Sequence, residues 1–202
     1  LPLTILRLNE EHKIAVLEMG MNHKGEIEEL TRIAPPDIAV ITNIGEAHIE
    51  NFESKDEIAT AKKEILENIS NNSFVILPRD DIYFEFLAKD ISSTKITTFG
   101  MSNKSDISCD TKNDSINRYF LSDKFLDAKC NLIGNHNTMN IMAAIGVAQT
   151  LGIPINSIKK GIELVRGMPG RLEMKYAING AIIIDDSYNS NPSSMMAAIE
   201  VL

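Results

Sequence analysis

The sequence predicts an α/β fold: a mostly parallel sheet flanked by helices, with a small antiparallel part and a further βα unit late in the chain. Three observations lead there. Short, continuous apolar runs such as Ile38–Thr42 and Phe74–Leu77 are of the kind buried in a parallel sheet. Segments of helical periodicity alternate with them. Residues 104–132 then change to short alternating stretches around Ile107, Tyr119-Phe120-Leu121 and Phe125-Leu126, separated by Ser, Asn and Asp, which read as antiparallel hairpins at the domain edge.

In chain order, the apolar run Lys13–Leu17 is expected to be the first strand, and the helix from Gly25 to Ala34 is stopped by Pro35-Pro36. Ile38–Thr42 is the next strand. The following helix opens with Ser54 and Glu57, the spacing of a capping box, and is expected to run to about Ser70. Phe74–Leu77, Ile82–Lys89 and Lys95–Phe99 read as strand, helix and strand. After the hairpins, helical spacing runs from Asn137 to Leu151, where Gly152 ends it, and a shorter helix spans Ser157–Val165. Two glycines and a proline in Gly167-Met168-Pro169-Gly170 break the periodicity and divide residues 1–166 from residues 167–202. Beyond them Ala181–Asp185 is a strand, Asn191 an N-cap, and Pro192 the first turn of a helix. One strand and one helix cannot enclose a core, and Ile182–Ile184, Met195, Met196, Ile199 and Leu202 lack the rest of their sheet, so this segment is expected to be disordered or to be covered by a neighbouring molecule or by further chain.

Composition excludes several classes of function. A net charge of -8 with no Lys/Arg cluster argues against nucleic acid or an anionic membrane as partner, since both are held by neutralising phosphates. No run approaches the roughly 18 apolar residues of a membrane span, and Leu1–Arg7 lacks the basic start and cleavage site of a signal peptide. Cys109 and Cys130 are isolated and lack metal-ligand spacing, so reduced thiols in a cytoplasm are the expectation. With no initiator Met and with first residues that read like the middle of a domain, the chain reads as a piece of a longer protein.

Several ionisable groups fall where chemistry is done. Glu18 ends the first expected strand, at the edge where open α/β sheets bind ligands; alone, it reads first as a solvated carboxylate. His48 follows the next strand through Asn43-Ile44-Gly45, and a lone His there is more often a hydrogen-bonded loop residue than a metal ligand. Together they suit Mg²⁺ only in part, because that ion prefers oxygen donors. Lys62 lies four residues after Ile58 and three before Ile65, on a stripe that continues to Ile69, so it faces inward. Lys63 faces outward with Glu67 as its expected partner. An inward lysine either snorkels to water or is desolvated; in the second case its pKa falls and its amine can react with CO2 to give a carbamate. Gly134-Asn135-His136-Asn137-Thr138-Met139-Asn140 opens a helix with more asparagines than one cap needs.

The segments Glu18-Met19-Gly20-Met21-Asn22-His23, Thr42–His48, Ala61-Lys62-Lys63-Glu64-Ile65 and Gly134–Asn140, in that order, resemble the central ATP-binding domain of the Mur ligases, the amide-forming enzymes of the peptidoglycan stem peptide. The run Asp185-Asp186-Ser187-Tyr188-Asn189-Ser190-Asn191-Pro192 is the most discriminating, and is similar to the branch that joins D-alanyl-D-alanine to UDP-N-acetylmuramoyl-tripeptide. The resemblance covers essentially the whole chain. It implies a P-loop-type central domain in residues 1–166, the first βα unit of a Rossmann-like C-terminal domain in residues 167–202, and ATP and Mg²⁺ as cofactors. It further implies that Glu18, His48 and a carbamylated Lys62 serve the metal sites, with Lys62 and His48 catalytic. Asn137 and Asn140 would lie near the adenine, Arg171 near the phosphates or ribose, and Asp186 near the ribose.

One departure is large: the chain contains no Gly-x-x-Gly-Lys-Thr-Thr phosphate loop, so on its own it is expected to bind ATP weakly and not to catalyse the reaction. Two other readings stay open at this point. A folylpolyglutamate synthetase would share the His136-Asn137 helix but not the Asp185–Pro192 run, and a non-catalytic binding or scaffold module would need neither.

Overall fold

The computed structural model describes residues 1–202 apart from 47–48, 93–94, 114–115, 122–123, 191 and 202. Its sheet has six strands in the order β1 (Ile38–Val40), β2 (Phe74–Pro78), β3 (Ile96–Phe99), β4 (Ile107–Asn113), β5 (Ile116–Leu121) and β6 (Lys124–Lys129). β1 to β4 pair in parallel, while β4, β5 and β6 form the antiparallel meander expected between residues 104 and 132.

Helices cover both faces, as continuous apolar strands require. In β2 successive side chains point to opposite faces: Ile76 enters one core with Phe99, Ile107 and Tyr119, and Val75 and Leu77 enter the other with Ile41 and Ile58. The first core is closed by α5 (Asn135–Thr150) and α6 (Ile155–Leu164). The second is closed by α2 (Glu26–Ile33), α3 (Lys55–Lys63) and α4 (Phe84–Ala88), α1 (Pro2–Ile5) being an exposed single turn. Gly146 lets α5 lie close on the sheet, since a Cβ there would stand 3.1 Å from Ile76 Cγ2 and 3.3 Å from Ile107 Cδ1.

Three expectations are corrected. Lys13–Leu17 forms no strand, and Ile14 and Val16 are exposed. An apolar run becomes a strand only where a neighbour completes its ladder, and the described pairing of β1 is with β2 alone. The helix from Ser54 is regular only to Lys63 and tightens into a 3₁₀ turn at Glu64–Leu66, where the Glu64 side chain turns toward α2. Ala181–Asp185 is not a solitary strand: β8 (Ile182–Asp185) pairs antiparallel with β7 (Glu173–Tyr176), in a sheet of two strands separate from the first. Ile182, Ile183, Met195, Met196 and Ile199 are all exposed on β8 and α7 (Pro192–Ile199). The N-cap expected at Asn191 lies outside the described residues. Among the described residues no helix is long and apolar enough to cross a membrane, and both cysteines are free thiols.

Candidate active site

Because β1 to β4 run in one direction and β6 runs with them, the segments after β1, β2 and β6 emerge at the same carboxyl edge of the sheet. That edge is where open α/β sheets hold ligands. Here it gathers Asn43-Ile44, Asp80-Asp81 and Ile133-Gly134.

Lys62 reaches this edge from α3. Ser54 caps the helix, its side chain accepting from the Glu57 N–H at 3.3 Å, and the Glu57 carboxylate turns back to the Glu53 N–H at 2.9 Å. Ile58, Ala59 and Ala61 are buried against the sheet, and Lys62 follows on the same side, half-buried. Its ammonium donates to the carbonyl of Asn43 at 2.8 Å. Burial holds the Lys62 pKa below the usual lysine value, the Asp81 carboxylate opposing that shift and the charge of Lys55 adding to it. Asp81 accepts from the Ile44 N–H at 2.9 Å with one oxygen and from the Tyr83 N–H at 2.9 Å with the other. Lys63 does not turn to Glu67: its amine donates to the Phe86 carbonyl at 2.7 Å and sits over the Phe86 ring, fastening α4 to α3.

Glu18 is exposed in the segment before α2, and no ion pair joins it to Lys62 among the described residues. His48 lies outside the described residues. Nor do the described residues contain a cluster of three His, Cys, Asp or Glu side chains suited to a metal ion. The donor chemistry fits Mg²⁺ if Lys62 carries oxygen, because an ammonium has no lone pair to offer, while a carbamate adds two oxygens and keeps an N–H for the Asn43 carbonyl.

A second group of residues sits at the start of α5. Gly134, at φ +93°, precedes the helix, and a Cβ there would meet the His136 ring at 2.7 Å, so glycine alone lets that ring fold over the turn. Asn135, His136 and Thr138 line a cavity of about 580 Å³ that is completed by Asn117, Leu132, Ala197 of α7, and Glu200 and Val201 just beyond that helix. Asn137 turns away to donate to the Ile133 carbonyl at 2.7 Å, and Asn140 is exposed further along α5. Asn137 and Asn140 are not among the residues that line this cavity.

Arg171 and Asp186 come together beside the small sheet. Asp186 accepts from the Leu172 N–H at 3.0 Å, holding Leu172 in the left-handed region at φ 49°, and the Arg171 guanidinium stacks 4.4 Å above the Tyr188 ring. Next to them Lys175 binds both Asp185, at 2.5 Å, and Glu173, at 3.2 Å.

Fold and site together define an α/β protein with helices on both faces and a half-buried lysine at the carboxyl edge of its parallel sheet. Residues 1–148 match the Mur ligase middle domain, and the chain belongs to the Mur ligase family. It is 38% identical to the UDP-N-acetylmuramoyl-tripeptide--D-alanyl-D-alanine ligase of Bacillus subtilis over 203 residues, covering 100% of this chain and 44% of that protein. Among solved structures it is similar to MurF from Acinetobacter baumannii, with 33% identity, TM-score 0.92, and coverage of 100% of this chain and 45% of that one. It is also similar to MurF ligase from Thermotoga maritima in complex with ADP, with 27% identity, TM-score 0.84, and coverage of 100% and 47%. The chain thus spans less than half the length of the relatives it matches.

Proposed function

We propose that this chain belongs to an ATP-dependent ligase that joins D-alanyl-D-alanine to UDP-N-acetylmuramoyl-tripeptide, in the cytoplasm, with Mg²⁺ as the metal. The observation that carries the reading is the placement of Lys62: a desolvated amine held at the carboxyl edge by the Asn43 carbonyl, in a chain aligned over its whole length with relatives named for this reaction. In the proposed chemistry ATP transfers its γ-phosphoryl group to the terminal carboxylate of the tripeptide, giving ADP and an acyl phosphate. The amine of D-alanyl-D-alanine then attacks the acyl carbon and expels phosphate.

Residues 1–166 form the central domain in this reading and residues 167–202 begin the next, which the separate pairing of β7 with β8 supports. Lys62 as its carbamate, Glu18 and His48 are the proposed metal donors, Lys62 and His48 acting in catalysis; when bound, Mg²⁺ supplies positive charge to the phosphoryl group and the carboxylate. Asn137 and Asn140 are proposed to face the adenine. Arg171, stacked but exposed on Tyr188, is free to reach phosphate or ribose, and Asp186 keeps one carboxylate oxygen for the ribose. With no phosphate loop in the 202 residues, the activity is assigned to a protein longer than this chain.

The test is an assay of the full-length gene product with ATP and either UDP-N-acetylmuramoyl-tripeptide plus D-alanyl-D-alanine or a folate plus glutamate, identifying the product by mass. Ligation of the dipeptide is expected. Ligation of glutamate instead would favour a folylpolyglutamate synthetase-like activity, and no ligation with either would leave a binding module.

A further inference from the structure

The Asn43–Ile44 peptide group is gripped at both ends by opposite charges. Its carbonyl accepts from Lys62 Nζ at 2.8 Å and its N–H donates to Asp81 Oδ2 at 2.9 Å. The other Asp81 oxygen holds the Tyr83 N–H at 2.9 Å, so the carboxylate cannot turn away without stranding an amide. Ile44 is 3% exposed, which leaves its N–H little access to water as a substitute partner. A single bond at the carbonyl would let the peptide plane pivot; the second bond, at its other end, removes that freedom.

We infer that Asp81 is a positioning residue: with Lys62 it locks the Asn43–Ile44 peptide plane at the carboxyl edge, and so fixes both the Lys62 amine and the direction in which the chain leaves β1 toward Gly45. Asp81 acts through Ile44 and Asn43, not through contact with substrate. Its sequence setting gives no hint of this, since it lies 37 residues from Ile44.

Amide hydrogen exchange, followed by NMR on this chain, tests the placement. In Asp81→Ala the Ile44 amide is expected to exchange about tenfold faster or more, the weight of one charge-assisted hydrogen bond. Ile76 and Leu77, in the centre of the sheet, should keep their rates. Asp81→Asn, which retains one acceptor oxygen, should fall between the two, and gives the same reading at smaller amplitude if the alanine variant does not fold. Unchanged exchange at Ile44, or equal acceleration across the sheet, overturns the inference. A kinetic arm rests on the ligase reading: in the full-length enzyme Asp81→Ala should lower kcat about tenfold with KM for ATP little changed, and Asp81→Asn should recover part of the loss. A normal kcat alongside lost Ile44 protection overturns the positioning role. An unsubstituted enzyme without ligase activity overturns the functional reading alone, and the exchange arm still decides the placement of Asp81.

Discussion

The carboxylate of Glu64 accepts from the backbone N–H of Gly25 at 2.7 Å, across 39 residues of sequence, and its second oxygen reaches the Glu28 N–H at 3.3 Å. Glu64 thereby caps α2 from another helix, doing what a local cap residue would do; Gly25 itself has no side chain for it. Asn68 extends the seam by donating to Thr31 Oγ1 at 2.8 Å. Glu64 is 6% exposed, so its removal leaves two N–H groups without replacement by water. Glu64→Ala is expected to lower the unfolding free energy of the chain by about 2 kcal/mol, and Glu64→Gln by less, as read from urea denaturation.

Gly134 sets the entry to α5. Its φ of +93° is costly for any residue with a Cβ, and the His136 ring occupies the space a methyl would need. Gly134→Ala should cost about 1–3 kcal/mol and shift the His136 ring signals in an NMR spectrum. An alanine variant with unchanged stability and unchanged His136 signals would contradict this account of the turn.

Burial makes the stability contributed by Lys62 depend on pH in a definite direction. Its folded pKa lies below the usual lysine value of 10.5, so between the two values the unfolded chain binds more protons than the folded one, and stability from this residue rises with pH. The difference in unfolding free energy between the natural chain and Lys62→Gln should therefore grow in favour of the natural chain as pH is raised toward 10.5. A difference that is flat with pH, or that shrinks, would contradict desolvation of the amine.

Asp185 depends on pH in the same direction, but in an acid window. Its hydrogen bonds from Lys175 and Ser187 hold its pKa down from 3.8 to about 2, so its contribution is complete above 3.8 and is lost as pH falls toward 2. Exchange of the Met174 and Ile184 amides of the β7–β8 pair should accelerate through that interval. In Asp185→Asn this acceleration should be absent.

The strands and helices that the sequence made legible are those whose signals are local: apolar runs at β2 and β3, the Ser54 cap, and the Pro35-Pro36 stop after α2. Lys62 was also legible, because its spacing from Ile58 and Ile65 turns it toward the sheet. What stayed hidden depends on partners distant in sequence. Lys13–Leu17 has the composition of a strand without a described neighbour to pair with, whereas β7 is the mostly polar Glu173-Met174-Lys175-Tyr176, recognisable only from its pairing with β8. Nothing local in the sequence marks what Asp81 and Glu64 bind, because the fold brings each to a backbone N–H more than thirty residues away. The asparagine spacing at the start of α5 does not say which side chains line the cavity there, and it is the fold that puts Asn135, His136 and Thr138 on its wall.

The measurement that bears most directly on the proposed function is the ligation rate of the full-length enzyme with Lys62 replaced by Gln, supplied with ATP, UDP-N-acetylmuramoyl-tripeptide and D-alanyl-D-alanine. A glutamine retains an N–H for the Asn43 carbonyl but can neither form a carbamate nor carry charge. Dipeptide ligation is expected to fall by about a hundredfold or more, the scale on which loss of a preorganised charge acts, while binding of the tripeptide nucleotide persists. A Lys62→Gln enzyme that ligates D-alanyl-D-alanine at the natural rate would contradict the account.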